Sequence, residues 1–146
     1  MLIAAAGNDA SRRPFWPAAF DWAVSVGALD RDGQRAPFSN YGSWVDVYAL
    51  GVDVINAFPK GALKYREPLH QGQIARFHTE MACWSGTSFA TPMVAGMIAA
   101  RMSRTGQSGR RAADSMLRIA RAHARPGIGA IADPSMIDDL DPTGAN

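Results

Sequence analysis

The stretch Trp84-Ser85-Gly86-Thr87-Ser88-Phe89-Ala90-Thr91-Pro92-Met93-Val94-Ala95-Gly96 constrains this chain more than any other. Small polar residues open it, and an apolar run follows that carries no charge until Arg101. The pattern predicts the N-terminal end of a buried helix, with Ser or Thr as its cap. Val94, Ala95, Ile98, Ala99 and Met102 recur at helical spacing, and Thr105-Gly106 ends the run. Pro92 is expected in or near the first turn, where its missing N–H costs least. Ser88 then sits where unpaired backbone N–H groups and the positive end of the helix dipole face outward. A hydroxyl placed there can attack a carbonyl while neighbouring N–H groups stabilise the developing oxyanion. Gly-Thr-Ser before an apolar run is by itself most often a capped core helix, and the tripeptide alone does not establish a nucleophile.

Residues 1–6 form a short, wholly apolar run that stops at Gly7-Asn8-Asp9. Such a run fits a strand buried on both faces of a parallel sheet. Asn8 ends it, where loops at the carboxyl ends of parallel strands gather ligand-binding groups, although Gly-Asn is also a common turn dipeptide. A chain that starts one residue before a buried strand is expected to continue upstream, since termini are ordinarily exposed. Further strands are predicted over 22–28, 44–48, 52–58 and 74–82. Residues 59–73 read as a surface hairpin or insertion, and turn chemistry fills 30–42, including Asn40-Tyr41-Gly42. An amphipathic second helix is predicted over 108–122, closed by Pro126, with an edge strand over 127–132. Residues 133–146, with Asp138, Asp139 and Asp141, read as a loose acidic tail after a domain spanning 1–132.

Composition excludes several function classes. The formal net charge of +2 is too small to argue for nucleic acid. The seven arginines between Arg101 and Arg125 have no aromatic residue among them on which a base could stack. No apolar run approaches the ~18 residues of a membrane span, so neither nucleic acid nor membrane is an expected partner. Cys83 is the single cysteine, expected as a small buried hydrophobe, and no internal disulfide can form. No basic segment with an apolar core and cleavage site opens the chain, and localisation stays open.

Gly86-Thr87-Ser88-Phe89-Ala90-Thr91-Pro92, followed by Val94-Ala95-Gly96, closely resembles the nucleophile motif of the subtilisin-like serine proteases. Ala5-Ala6-Gly7-Asn8, the Val26-Gly27-Ala28 strand end and Phe38-Ser39-Asn40-Tyr41-Gly42 resemble further stretches of that family, over residues 2 to about 104. Leu50 departs from it, standing where the family more often has Pro before Gly. The resemblance implies an α/β fold, the C-terminal part of a subtilisin-like doubly wound, mostly parallel sheet with a buried nucleophile helix. It implies Ser88 as nucleophile and Asn8 as oxyanion-hole donor. Ala5, Ala6 and Gly7 would form a wall of the substrate pocket, with Thr87 also substrate-binding. The substrate would be a protein or peptide. No cofactor is identifiable, and calcium enters only because many members of the family bind it.

A serine nucleophile needs a general base, and the base needs a partner to hold its tautomer. In this family both precede the serine in the chain, in Asp-Thr/Ser-Gly and His-Gly-Thr contexts. Neither string occurs in the 146 residues, and His70, His78 and His123 have no such setting. The chain therefore corresponds to the C-terminal half of such a domain, and is expected to show no meaningful proteolysis alone. Three readings remain open at this point. The chain is a fragment of a serine endopeptidase, or a non-catalytic module that binds extended peptides, or one half of a split enzyme whose other half carries Asp and His.

Overall fold

A computed structural model describes residues 1–66 and 68–137. Two compact units are present: Met1–Val52 with the chain from Ser85 onward, and Asp53–Trp84.

The first unit is built on three parallel strands, β1 (Leu2–Ala5), β2 (Ala23–Leu29) and β3 (Val47–Leu50), in the spatial order β1-β2-β3. Ile3 lies opposite Val24 and Val26 opposite Val47. All seven residues of β2 are buried, as its near-continuous run of small and apolar residues demands. Gly27 is required there by packing, because a Cβ on it would stand 2.3 Å from the Tyr48 ring. That ring is fully buried, and burial raises the phenol above its ordinary pKa, against the opposing effects of Arg35 and a backbone hydrogen bond from Gly42.

Three expectations shift here. β1 is half-buried along its length, because among the described residues it has a neighbour on one side only. The predicted strand over 44–48 begins three residues later. Asp46 directs its carboxylate to the Ser25 N–H and hydroxyl, both at 2.9 Å, and the Trp44 carbonyl accepts from the same hydroxyl at 2.6 Å. Before Val47 these side-chain bonds accompany a single backbone bond, from Asp46 N–H to the Ser25 carbonyl at 3.2 Å. The segment predicted as an edge strand over 127–132 makes two isolated bridges instead, Gly129 with Arg125 and Ile131 with Tyr48, where Tyr48 N–H donates to the Ala130 carbonyl and Ala132 N–H to the Tyr48 carbonyl.

Helix α1 (Thr87–Thr105) packs on all three strands, and α2 (Gly109–Ala122) packs on α1 and β3. Val94, Met97 and Ile98 of α1 meet Val26 and Val47 of the sheet and Met116 and Leu117 of α2 in one apolar core. Gly106, at φ +68°, ends α1 with its N–H donated to the Met102 carbonyl. Pro92 falls one turn deeper in the helix than expected, so the Ser88 carbonyl receives no N–H from position 92. Of the segment read from the sequence as a loose tail, residues 133–135 are exposed. Pro134–Ile137 forms a short 3-10 helix, Met136 is buried in the core, and the Ile137 carbonyl accepts from Arg104. The rest of that acidic segment lies outside the described residues.

The second unit consists of two antiparallel pairs. Strands β4 (Val54–Ala57) and β7 (Met81–Trp84) form one, β5 (Gly61–Lys64) and β6 (Ile74–Phe77) the other. The predicted single strand over 74–82 is therefore divided, with the Thr79 hydroxyl bonded to the Met81 carbonyl at the break. Phe58, Phe77 and Trp84 stack into a small aromatic cluster, with centroids 4.5 to 6.2 Å apart. Cys83 is exposed, not buried: alternation along β7 buries Ala82 and turns its neighbour outward.

Candidate active site

Asn8 follows β1 on a turn that only its neighbours make possible. Gly7 adopts φ +97°, a conformation L side chains rarely take, and a Cβ on it would stand 2.5 Å from Asn40 Nδ2 and 3.2 Å from the Phe15 ring. Across the chain, Asn8 Oδ1 accepts from the N–H and the hydroxyl of Thr87, both at 2.9 Å. The Thr87 hydroxyl oxygen in turn accepts from Gly7 N–H at 3.2 Å. A backbone N–H can only donate, so the Thr87 bond fixes which end of the Asn8 amide faces the helix. Nδ2 is turned the other way and makes no hydrogen bond among the described residues.

The start of α1 differs from the sequence expectation. The N-cap residue is Gly86 and no local Ser or Thr side chain caps the helix. Asn8, 79 positions away, supplies the capping oxygen instead. Gly86 N–H is taken by the Gly51 carbonyl at 2.8 Å, and Phe89 N–H by the Gly86 carbonyl at 3.0 Å. Ser88 therefore stands one residue inside the helix, exposed, with neither its N–H nor its hydroxyl bonded among the described residues. The exposed Asn8 amide and the exposed Ser88 flank a Thr87 that is fully enclosed.

These placements sort the predicted site residues. Asn8, Thr87 and Ser88 are brought together by direct bonding and adjacency. Thr87 has no exposed surface, so it cannot touch a substrate side chain as expected; burial turns its polar groups to Gly7 and Asn8. Ala6 is also fully buried, with its N–H donated to the Val26 carbonyl and its carbonyl accepting from Asn40 Nδ2. Ala5 is half-buried, and Gly7 is buried under Phe15.

Asn40 escaped the sequence argument as a site residue, although it lies in a stretch that had been singled out. Its visible signal, Asn-x-Gly, is ordinary turn chemistry. In the structure it is 1% exposed and bonded to four residues of the Asn8 turn. Gly51 escaped likewise: a Cβ on it would stand 2.8 Å from the Gly86 carbonyl and 3.2 Å from Ala90.

Chemically, the arrangement offers a hydroxyl at a helix N-terminus, a free N–H on the same residue and a carboxamide donor beside them. No imidazole is hydrogen-bonded to Ser88 among the described residues. His123 Nδ1 is paired with the Ile119 carbonyl at the end of α2, 3.1 Å away, and His70 and His78 belong to the second unit. No three of His, Cys, Asp and Glu come together to hold a metal ion among the described residues.

Residues 1–125 match the profile of the Subtilase family. The chain is 38% identical over 99 residues to a thermophilic serine proteinase of Bacillus sp. (strain AK1), covering 68% of this chain and 20% of that protein. It is 35% identical over 103 residues to Proteinase R of Parengyodontium album, covering 70% and 22% respectively. Among solved structures it is similar to the prenylagaramide maturation protease PagA, with a TM-score of 0.59 and 27% identity over 92% of this chain and 42% of that one. The chain thus spans about a fifth of the length of these curated relatives.

Proposed function

The chain belongs to the Subtilase family, and on that premise we propose that it is the nucleophile-bearing part of a serine endopeptidase acting on protein or peptide substrates. Ser88 Oγ attacks the scissile carbonyl, and the carbonyl oxygen takes the negative charge. Asn8 Nδ2 and Ser88 N–H are the donors aimed at that charge, at the positive end of α1. The serine proton passes to a general base, then to the leaving amine as the tetrahedral intermediate collapses to an acyl-enzyme. Water attacks the ester, the base takes its proton, and the oxyanion donors serve a second time. A His held by an Asp, both supplied from outside these 146 residues, is the base this reading requires.

The observation that carries the reading is the bond from Thr87 N–H to Asn8 Oδ1. It ties two segments distant in sequence so that both unengaged donors flank an unengaged hydroxyl. A binding module would gain nothing from keeping such groups free.

Two measurements test the reading. The 146-residue chain alone is expected to give no turnover of a peptide substrate; turnover abolished by Ser88→Ala would show that the base lies within it. The native polypeptide carrying the Ser88 peptide is then weighed by mass spectrometry. A mass well above 15.6 kDa, with turnover lost in Ser88→Ala, is the expected result. A native product of 15.6 kDa that co-purifies with no second chain bearing Asp and His would overturn the catalytic reading in favour of peptide binding.

A further inference from the structure

We infer that Asn40 is a positioning residue for Asn8, its buried carboxamide fixing the turn from which Asn8 projects. The inference rests on the reading of Asn8 as the oxyanion donor. Asn40 donates its backbone N–H to the Gly7 carbonyl at 2.9 Å and its Nδ2 to the Ala6 carbonyl at 2.8 Å. Its Oδ1 accepts from Asp9 N–H and from Ser11 N–H, both at 3.0 Å, and Nδ2 also meets Asp9 Oδ2 at 3.4 Å. The residues on either side of Asn8 are therefore both clamped by Asn40, while Asn8 itself is left untouched and exposed.

The chemistry of the clamp is specific to this side chain. The turn presents two N–H groups and one carbonyl to the same buried point, and the Asn40 carboxamide meets all three, its oxygen accepting twice and its nitrogen donating. Aspartate would keep the two N–H bonds, lose the bond to the Ala6 carbonyl and set a second carboxylate beside Asp9. Alanine would leave all of these groups without their partner. An oxyanion donor is effective only if its direction is set before charge develops, and Gly7 and Asp9 are the two positions that set it. Thr87 fixes the amide end of Asn8; Asn40 fixes the backbone under it.

Nuclear magnetic resonance on the 146-residue chain tests this without relying on catalysis. In the unmodified protein the Asp9 and Ser11 amides are expected to be protected from hydrogen exchange. In Asn40→Ala their exchange is expected to rise by about tenfold or more, as for the loss of one buried acceptor. The side-chain amide signal of Asn8 and the Thr87 N–H signal should move in Asn40→Ala and, less, in Asn40→Asp. Met116→Ala, a core substitution in α2, should lower stability yet leave those two signals in place. Free exchange of Asp9 and Ser11 in the unmodified chain would overturn the inference, and so would Asn8 and Thr87 signals that stay put in Asn40→Asp. If Asn40→Ala does not fold, the unmodified chain and Asn40→Asp decide alone. Failure of this test leaves the Ser88 reading intact, and a protein without protease activity would leave this result standing.

Discussion

Thr87 has no exposed surface and uses both its N–H and its hydroxyl on the loop that bears Asn8. Its hydroxyl completes a relay in which Gly7 N–H donates to Oγ1 and Oγ1–H donates to Asn8 Oδ1. Thr87→Val keeps the shape and removes the relay, leaving a buried Gly7 N–H with no acceptor. A loss of about 1–3 kcal/mol is expected, the cost of one buried unpaired donor. Thr87→Ser, which keeps the hydroxyl, should retain most of that stability. Denaturant unfolding of the two variants checks the point; equal losses would show that the methyl group, not the hydroxyl, is what the site needs. The placement of Asn8 after β1 and of Ser88 at the start of α1 was legible in the sequence, because each lies inside a contiguous string whose local pattern marks an element end. Asn40 was not, because its work is done on residues about thirty positions away, and nothing in Asn-x-Gly separates a clamp from a turn. Thr87 was assigned to the wrong partner for a related reason: adjacency to Ser88 says nothing about which side of the chain is enclosed.

At the scale of elements, the start of α1 depends on a close approach that β3 permits. Gly51 follows β3 and receives Gly86 N–H on its carbonyl at 2.8 Å, so the backbones of the two segments run nearly in contact. A Cβ at position 51 would stand 2.8 Å from both the Gly86 carbonyl oxygen and Ala28 Cβ. Neither obstacle is the far end of a flexible side chain, so relief requires α1 to move away from the sheet. Gly51→Ala is expected to cost about 1–3 kcal/mol, as overpacking does, and to displace the Ser88 N–H and Thr87 N–H resonances together. A variant that loses stability with those resonances unchanged would show that the sheet, not the helix, gives way. The helices themselves were read from the sequence within a residue or so, since apolar spacing and terminal glycine are local signals. The start of β3 was not, because Asp46 and Ser25 meet through side-chain bonds beside a single backbone bond, an arrangement invisible until the strands are side by side. The N-cap likewise came from another element.

For the molecule as a whole, the decisive feature is the outer edge of β1. Leu2–Ala5 pairs only with β2 among the described residues, and its four apolar residues are each half-buried where β2 is buried throughout. A short apolar edge with no charge, proline or bulge has none of the devices that ordinarily prevent strands from pairing with other chains. The family relation adds a reason for such an edge, since the chain spans only about a fifth of the length of the thermophilic serine proteinase and of Proteinase R. The isolated 146-residue chain is therefore expected to self-associate as its concentration rises, as measured by light scattering. Leu2→Lys, which places a charge at the start of the edge and outside the apolar core, should shift that association to higher concentration with little change in the unfolding midpoint. A chain that stays monomeric at every concentration, with the backbone amides of Leu2–Ala5 all protected from exchange, would show that its own residues cover the edge, and the need for an outside partner strand would fall. Association that Leu2→Lys leaves unchanged would move the contact to another surface.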